Sequence, residues 1–110
     1  MAATPVDLFR MGNAASARLD HVRPARDVET FVVDGAEWVR SGSGGVSTFA
    51  QKTAQEANWW HLPVGSPYDE GVLTVVNDHG DHWSWEPVRD MPMVEYRAAL
   101  QAMGANFIRT

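Results

Sequence analysis

The chain predicts an α+β fold, on three observations. Short runs rich in β-branched and aromatic residues recur along the sequence, bounded by turn formers such as Gly12-Asn13 and Asp34-Gly35. One stretch near the C-terminus repeats its apolar residues at helical spacing. Nothing in between looks like a repeat, a low-complexity linker or a boundary, so residues 1–110 read as one small domain.

In order, Thr4 to Met11 reads as a strand, with Val6 and Leu8 on one face, Asp7 and Phe9 on the other, and Arg10 closing the Val6/Leu8 side. The stretch from Gly12 to Asp27 is charged and holds Pro24, and reads as loop with at most one helical turn. Thr30 to Val33 and Glu37 to Arg40 read as a hairpin about Asp34-Gly35. Ser41 to Gly45 is a flexible Gly-Ser segment. Val46 to Asn58 carries Ser47 or Thr48 as a cap ahead of helix-forming residues, and reads as a short, half-exposed helix. Trp59 to Leu62 is a strand stopped by the Pro63–Pro67 segment. Val72 to Val76 and His82 to Glu86 read as antiparallel neighbours joined by Asn77-Asp78-His79-Gly80-Asp81. Alternation puts Trp83 and Trp85 on the core side, opposite His82, Ser84 and Glu86. Last, Met93, Tyr96, Leu100 and Met103 mark an amphipathic helix ended by Gly104.

Composition removes several function classes. Without cysteine, the chain has no disulfide, thiol nucleophile or Cys-based zinc site. Its apolar runs are far shorter than the roughly 20 residues of a membrane span, and Met1 to Asp20 lacks a signal-peptide core. A cytoplasmic protein is expected. The net charge of −5 argues against broad binding to a phosphate backbone, while leaving room for a small anion held by one or two Arg. Five Trp supply large rings for the core or for stacking.

Of the residues that can do chemistry, His79 and His82 with Asp78 and Asp81 read as solvated loop residues rather than metal ligands, since no HExxH spacing is present. No GxSxG elbow marks a serine hydrolase. Arg10 at a strand end reads as a solvated or paired cation, or as an anion ligand. Gly44-Gly45 followed by Ser47-Thr48 reads as a capped helix start, or as a place where a phosphate-bearing ligand approaches the backbone.

The ordered set Asp7-Leu8-Phe9-Arg10, Gly45-Val46-Ser47-Thr48-Phe49, Leu62-Pro63-Val64-Gly65-Ser66-Pro67, Leu73-Thr74-Val75 to Asp78, His82-Trp83-Ser84-Trp85-Glu86-Pro87 and Met91-Pro92-Met93 resembles the toxin family typified by the second exported effector of type VI secretion. The resemblance implies a small ADP-ribosyltransferase-like split β-sandwich with one or two helices, working as a cytotoxic, NAD-dependent transferase without a metal. It implies Arg10 on a phosphate or ribose of NAD, Ser47 and Thr48 orienting the nicotinamide ribose, and Glu86 stabilising the ribosyl cation, although no EXE or QXE pair accompanies that acid. Under this reading Ser47 to Phe49 also end a strand. It further implies a cognate immunity protein or antitoxin in the producing cell, for which the acidic charge favours a basic binding surface. Trp59, Trp60 or Tyr68 would stack on the ligand. Two other functions fit the same residues: a metal-independent ribonuclease using His61 or His82 with Glu86 and Arg10, and a non-catalytic domain that binds a protein through its aromatic surface.

Overall fold

The computed structural model describes residues 2–52 and 58–110. In chain order the elements are β1 Ala2–Ala3, β2 Leu8–Met11, β3 Thr30–Val33, β4 Ala36–Val39, β5 Val46–Phe49, β6 Trp59–Leu62, β7 Pro67–Tyr68, β8 Leu73–His79, β9 His82–Pro87, β10 Met91–Pro92, α1 Met93–Gly104 and β11 Ile108–Arg109. This is an α+β architecture of antiparallel sheets with one helix among the described residues. The largest sheet has six strands in the order β11-β6-β2-β5-β9-β8; β10-β4-β3 form a second sheet, and β1 pairs with β7.

The pleat of the six-stranded sheet separates core from chemistry. Leu8, Val46, Leu62, Leu73 and Trp85 project from one face and are buried. Against them packs α1, through Met93, Tyr96, Leu100 and Met103, and the Tyr96 hydroxyl donates to the Trp85 carbonyl at 2.6 Å. The second sheet adds Val39 and Met91 to this core, and the irregular segment after β2 adds Ala17, Leu19, Val22 and Val28. Each large apolar side chain so buried contributes about 1.5–3 kcal/mol. The opposite face carries Phe9, Ser47, Phe49, His61 and His82, all half-buried. Ring contacts cross the strands there: Phe9 stacks on His61 at 4.7 Å, and Phe49 meets His82 edge-on at 5.5 Å.

The β3–β4 hairpin, the β6 strand and the helical stripe of α1 stand as the sequence predicts, and β8 and β9 are antiparallel neighbours. Three expectations are corrected. The first strand does not run from Thr4: Thr4 is buried, exchanging backbone bonds with Ser66 and Gly65, and β2 begins at Leu8. Val46 to Phe49 is strand β5, not a helix start, because pairing with β9 satisfies its backbone; the rest of that predicted helix falls largely on residues 53–57, outside the described residues. Trp83 is only half-buried, whereas Trp85 is fully buried. No helix among the described residues is long and apolar enough to cross a membrane.

Candidate functional site

The site begins where two neighbouring strands part. β2 and β5 share one register pair, Phe9 with Phe49, and then diverge. Alternation alone would send the Arg10 and Ser47 side chains to opposite faces of the sheet. The gap lets the Arg10 guanidinium reach across, so that Nη1 donates to the Ser47 carbonyl at 2.6 Å. Its Nε donates to the carbonyls of Ala17 at 3.0 Å and Arg18 at 3.2 Å, and Nη2 to Arg18 at 2.9 Å. Arg18 lies in the left-handed region, φ 55°, which turns its carbonyl toward the guanidinium.

Every one of these partners is a neutral carbonyl. Arg10 is therefore a cation held in place without a carboxylate, and burial lowers its pKa to about 10, with Arg18 and Arg23 pushing the same way against Asp27. Arg10, Arg18, His21, Arg23, Asp27, Ser47 and Phe49 line a groove of about 380 Å³. Asp27 is engaged by Arg23 at 3.0 Å, which leaves Arg10 and Arg18 without an ion pair among the described residues. A larger cavity of about 450 Å³ between β7, β8 and α1 has Asp69 and Glu95 on its wall and no cation, the wrong charge for a phosphate ligand.

On the groove side of β5, Ser47 stands opposite Ser84 of β9, which makes His82 and Glu86 its diagonal neighbours on the same face. His82 Nε2 lies 2.7 Å from Ser47 Oγ, and His82 Nδ1 lies 2.5 Å from Asp78 Oδ1. This places a carboxylate on one ring nitrogen and a hydroxyl on the other. With the Nδ1 proton held by Asp78, the Nε2 lone pair faces the Ser47 hydroxyl and can accept its proton. Partial burial pushes the Asp78 carboxyl up, but the hydrogen bond and charge of His82, with the charge of His79, outweigh it and hold that carboxyl below its ordinary value.

A bulge makes the relay. Between Asn77 and His79 the β8–β9 register shifts, so that Asp78 is an extra residue and Asp78 and His79 both meet His82. Glu86 is half-buried over Gly45, and its carboxylate makes no hydrogen bond or ion pair among the described residues.

The sequence-predicted residues thus divide. Arg10 and Ser47 meet at the groove and Glu86 shares the face of Ser47, whereas Thr48 points into the core, 0% exposed, with its hydroxyl donating to the Trp83 carbonyl at 2.8 Å. Trp59, Trp60 and Tyr68 do not line the groove; its rings are Phe49 and His21. His61 bonds Asp7 at 3.0 Å and stacks on Phe9. In sequence Asp78 is a loop residue and His82 only the alternative ribonuclease base; their i, i+4 spacing on a hairpin gives no signal without the bulge. Arg18 carried no signal, since its role rests on backbone conformation.

Neither the curated proteins nor the solved structures give a significant match to this chain. A family model does, the Tse2 ADP-ribosyltransferase toxin, over residues 6–110. That span takes in the groove, the relay and every strand of the six-stranded sheet, and the chain belongs to the Tse2 family of ADP-ribosyltransferase toxins.

Proposed function

We propose that the protein takes NAD as its substrate and transfers the ADP-ribosyl group to a macromolecule, or to water, within an ADP-ribosyltransferase-like split β-sandwich formed by residues 1–110. The observation that carries this reading is the Arg10 guanidinium, fixed by three carbonyls at the mouth of a groove and lacking a carboxylate. A preformed, uncompensated cation of this kind favours a doubly charged pyrophosphate.

NAD supplies the ADP-ribosyl group, with nicotinamide as the leaving group. Arg10 and Arg18 provide the positive wall for the pyrophosphate, and Phe49 offers a flat apolar surface for a ring. Ser47 presents its hydroxyl to the ribose, and Thr48 holds β5 to β9 from the core side. The Glu86 carboxylate, on the face of Ser47, opposes the positive charge that develops on the ribose as the glycosidic bond breaks. His82, oriented by Asp78, takes a proton through Nε2, either from the incoming nucleophile or by way of Ser47.

Incubating the purified protein with NAD and a cell lysate tests this. Nicotinamide release and transfer of labelled ADP-ribose are expected, both depending on Arg10 and Ser47. A folded protein that does neither, in any lysate, sinks the reading; RNA cleavage without NAD would transfer the site to the ribonuclease alternative. The same reading places the toxin in the cytoplasm of a target cell after type VI delivery. In the producing cell it requires a cognate immunity protein, with a basic surface against this chain's charge of −5. Co-purification with the neighbouring gene's product checks that partner.

A further inference from the structure

We propose that Asp78, His79 and His82 form a binding site for a divalent transition-metal ion of the zinc type, and that the bound ion turns off His82 as a proton acceptor. The metal site stands on geometry alone; its effect on turnover rests on the ADP-ribosyltransferase reading.

The three residues bring one carboxylate oxygen and two imidazole nitrogens within 4.8 Å of one another. Zinc binds such ligands tetrahedrally at about 2.0–2.1 Å, so two of them on one ion sit about 3.4 Å apart. Closing the remaining ångström or so takes only side-chain rotation here. The His79 side chain is 76% exposed and that of Asp78 43%, so neither is wedged by packing. The bulge has already organised the set: the His79 and His82 rings are stacked at 4.9 Å, 17° from parallel, with Nδ1 of each directed at Asp78 Oδ1, at 3.1 and 2.5 Å. Two imidazoles and a carboxylate, with solvent for the open position, suit zinc or copper and not the hard cations that take oxygen only.

The consequence for His82 follows from its tautomer. In the metal-free site Nδ1–H donates to Asp78, and Nε2 faces Ser47 Oγ with a lone pair. A metal can bind Nδ1 only where that proton is absent. The neutral ring then carries its proton on Nε2, which donates to Ser47 Oγ instead of accepting from it. Ser47 keeps its neighbour but loses its base, and Asp78, now a ligand, no longer orients the ring.

Calorimetric titration of the metal-free full chain with zinc chloride near neutral pH is the direct test. One ion per chain is expected, and His79→Ala should weaken binding at least about tenfold, whereas Asp81→Asn should leave it unchanged. His79 is outside the relay, so His79→Ala should release nicotinamide at the wild-type rate without zinc and keep that rate with zinc, while the wild type is inhibited and is rescued by a chelator. No binding by the wild type, or equal binding by His79→Ala, overturns the site. Zinc that binds through His79 without slowing turnover overturns the switch. If the metal-free wild type releases no nicotinamide, the ADP-ribosyltransferase reading fails, and the titration still decides the metal site.

Discussion

At the scale of single residues, Gly45 and His82 are distinguished by what their loss would do. A Cβ on Gly45 would stand 2.1 Å from the Trp85 carbonyl oxygen, and one on Gly44, φ 130°, would stand 2.4 Å from the Asp27 carbonyl oxygen. The glycine pair is therefore a close-packing device between β9 and the groove loop rather than a flexible lead. Gly45→Ala is expected to destabilise the protein by about 1–3 kcal/mol or more, read as a lower denaturation midpoint, because backbone on both sides must move. His82 is the opposite case. Its side chain lies on the half-buried face, and its bonds are to Ser47 and Asp78. His82→Ala should lower nicotinamide release about 100- to 10,000-fold, out of proportion to the roughly 1–3 kcal/mol of stability that its two hydrogen bonds carry. A variant whose activity falls no further than its unfolding explains would mark His82 as structural. Asp78 adds a pH statement. Its carboxyl is held low in the fold, so its contribution is present above the ordinary value of 3.8 and is lost only as pH falls through the lower folded value. The outer end of the relay stays anionic across the neutral range, so Asp78→Asn should slow turnover at neutral pH. An unchanged pH–rate profile in that variant would separate Asp78 from the relay.

Elements carry the stability, and α1 is where this is easiest to measure. Leu100 is 0% exposed on its inner face, whereas Val94 is 77% exposed on the outer one. Leu100→Ala should cost about 2–5 kcal/mol by lost burial and cavity; Val94→Ala should change stability by no more than about 0.5 kcal/mol. Equal effects would contradict the packing of the helix on β9. The same helix shows why part of the fold was legible in sequence: the apolar spacing Met93, Tyr96, Leu100, Met103 is a local signal, and those four residues are the buried ones. The Asp34-Gly35 hairpin is legible for a similar reason, since its turn needs positive φ at both positions and has it, 50° and 80°. What local pattern does not encode is where strands separate or slip. Arg10 reaches Ser47 because β2 and β5 part after a single register pair, and Asp78 reaches His82 because β8 bulges against β9. Both depend on partners distant in the chain. Ser47 and Arg10 were therefore visible only as weak separate signs, and the relay was invisible. Thr48 looked equivalent to Ser47, although the pleat sends it to the core.

At the scale of the whole molecule, the groove is a place where the fold carries a cost that a ligand can remove. Burial lowers the Arg10 pKa to about 10, which corresponds to roughly 3 kcal/mol of preference against the charged form in the folded state. The sign follows from a cation whose folded value lies below its unfolded one: the penalty is fully present below about pH 10 and is relieved only above it. At neutral pH an anion beside the guanidinium relieves the same penalty, so ADP-ribose should stabilise the protein beyond what its contact area suggests. At a concentration 100 times its dissociation constant, a ligand that binds only the folded state adds about 2.7 kcal/mol. For a domain of this size that corresponds to a rise in Tm of roughly 10 °C. Nicotinamide, which carries no phosphate, should give no comparable shift. Arg10→Ala separates the causes. Alone, its effect on Tm combines the removal of a buried cation with the loss of donors to the carbonyls of Ala17, Arg18 and Ser47, and these oppose each other. The informative quantity is the increment that ADP-ribose adds, which should fall by most of its wild-type value in the variant. An increment of full size without the guanidinium would mean that the pyrophosphate binds elsewhere, and the groove between β2 and β5 would lose its claim to be the NAD site.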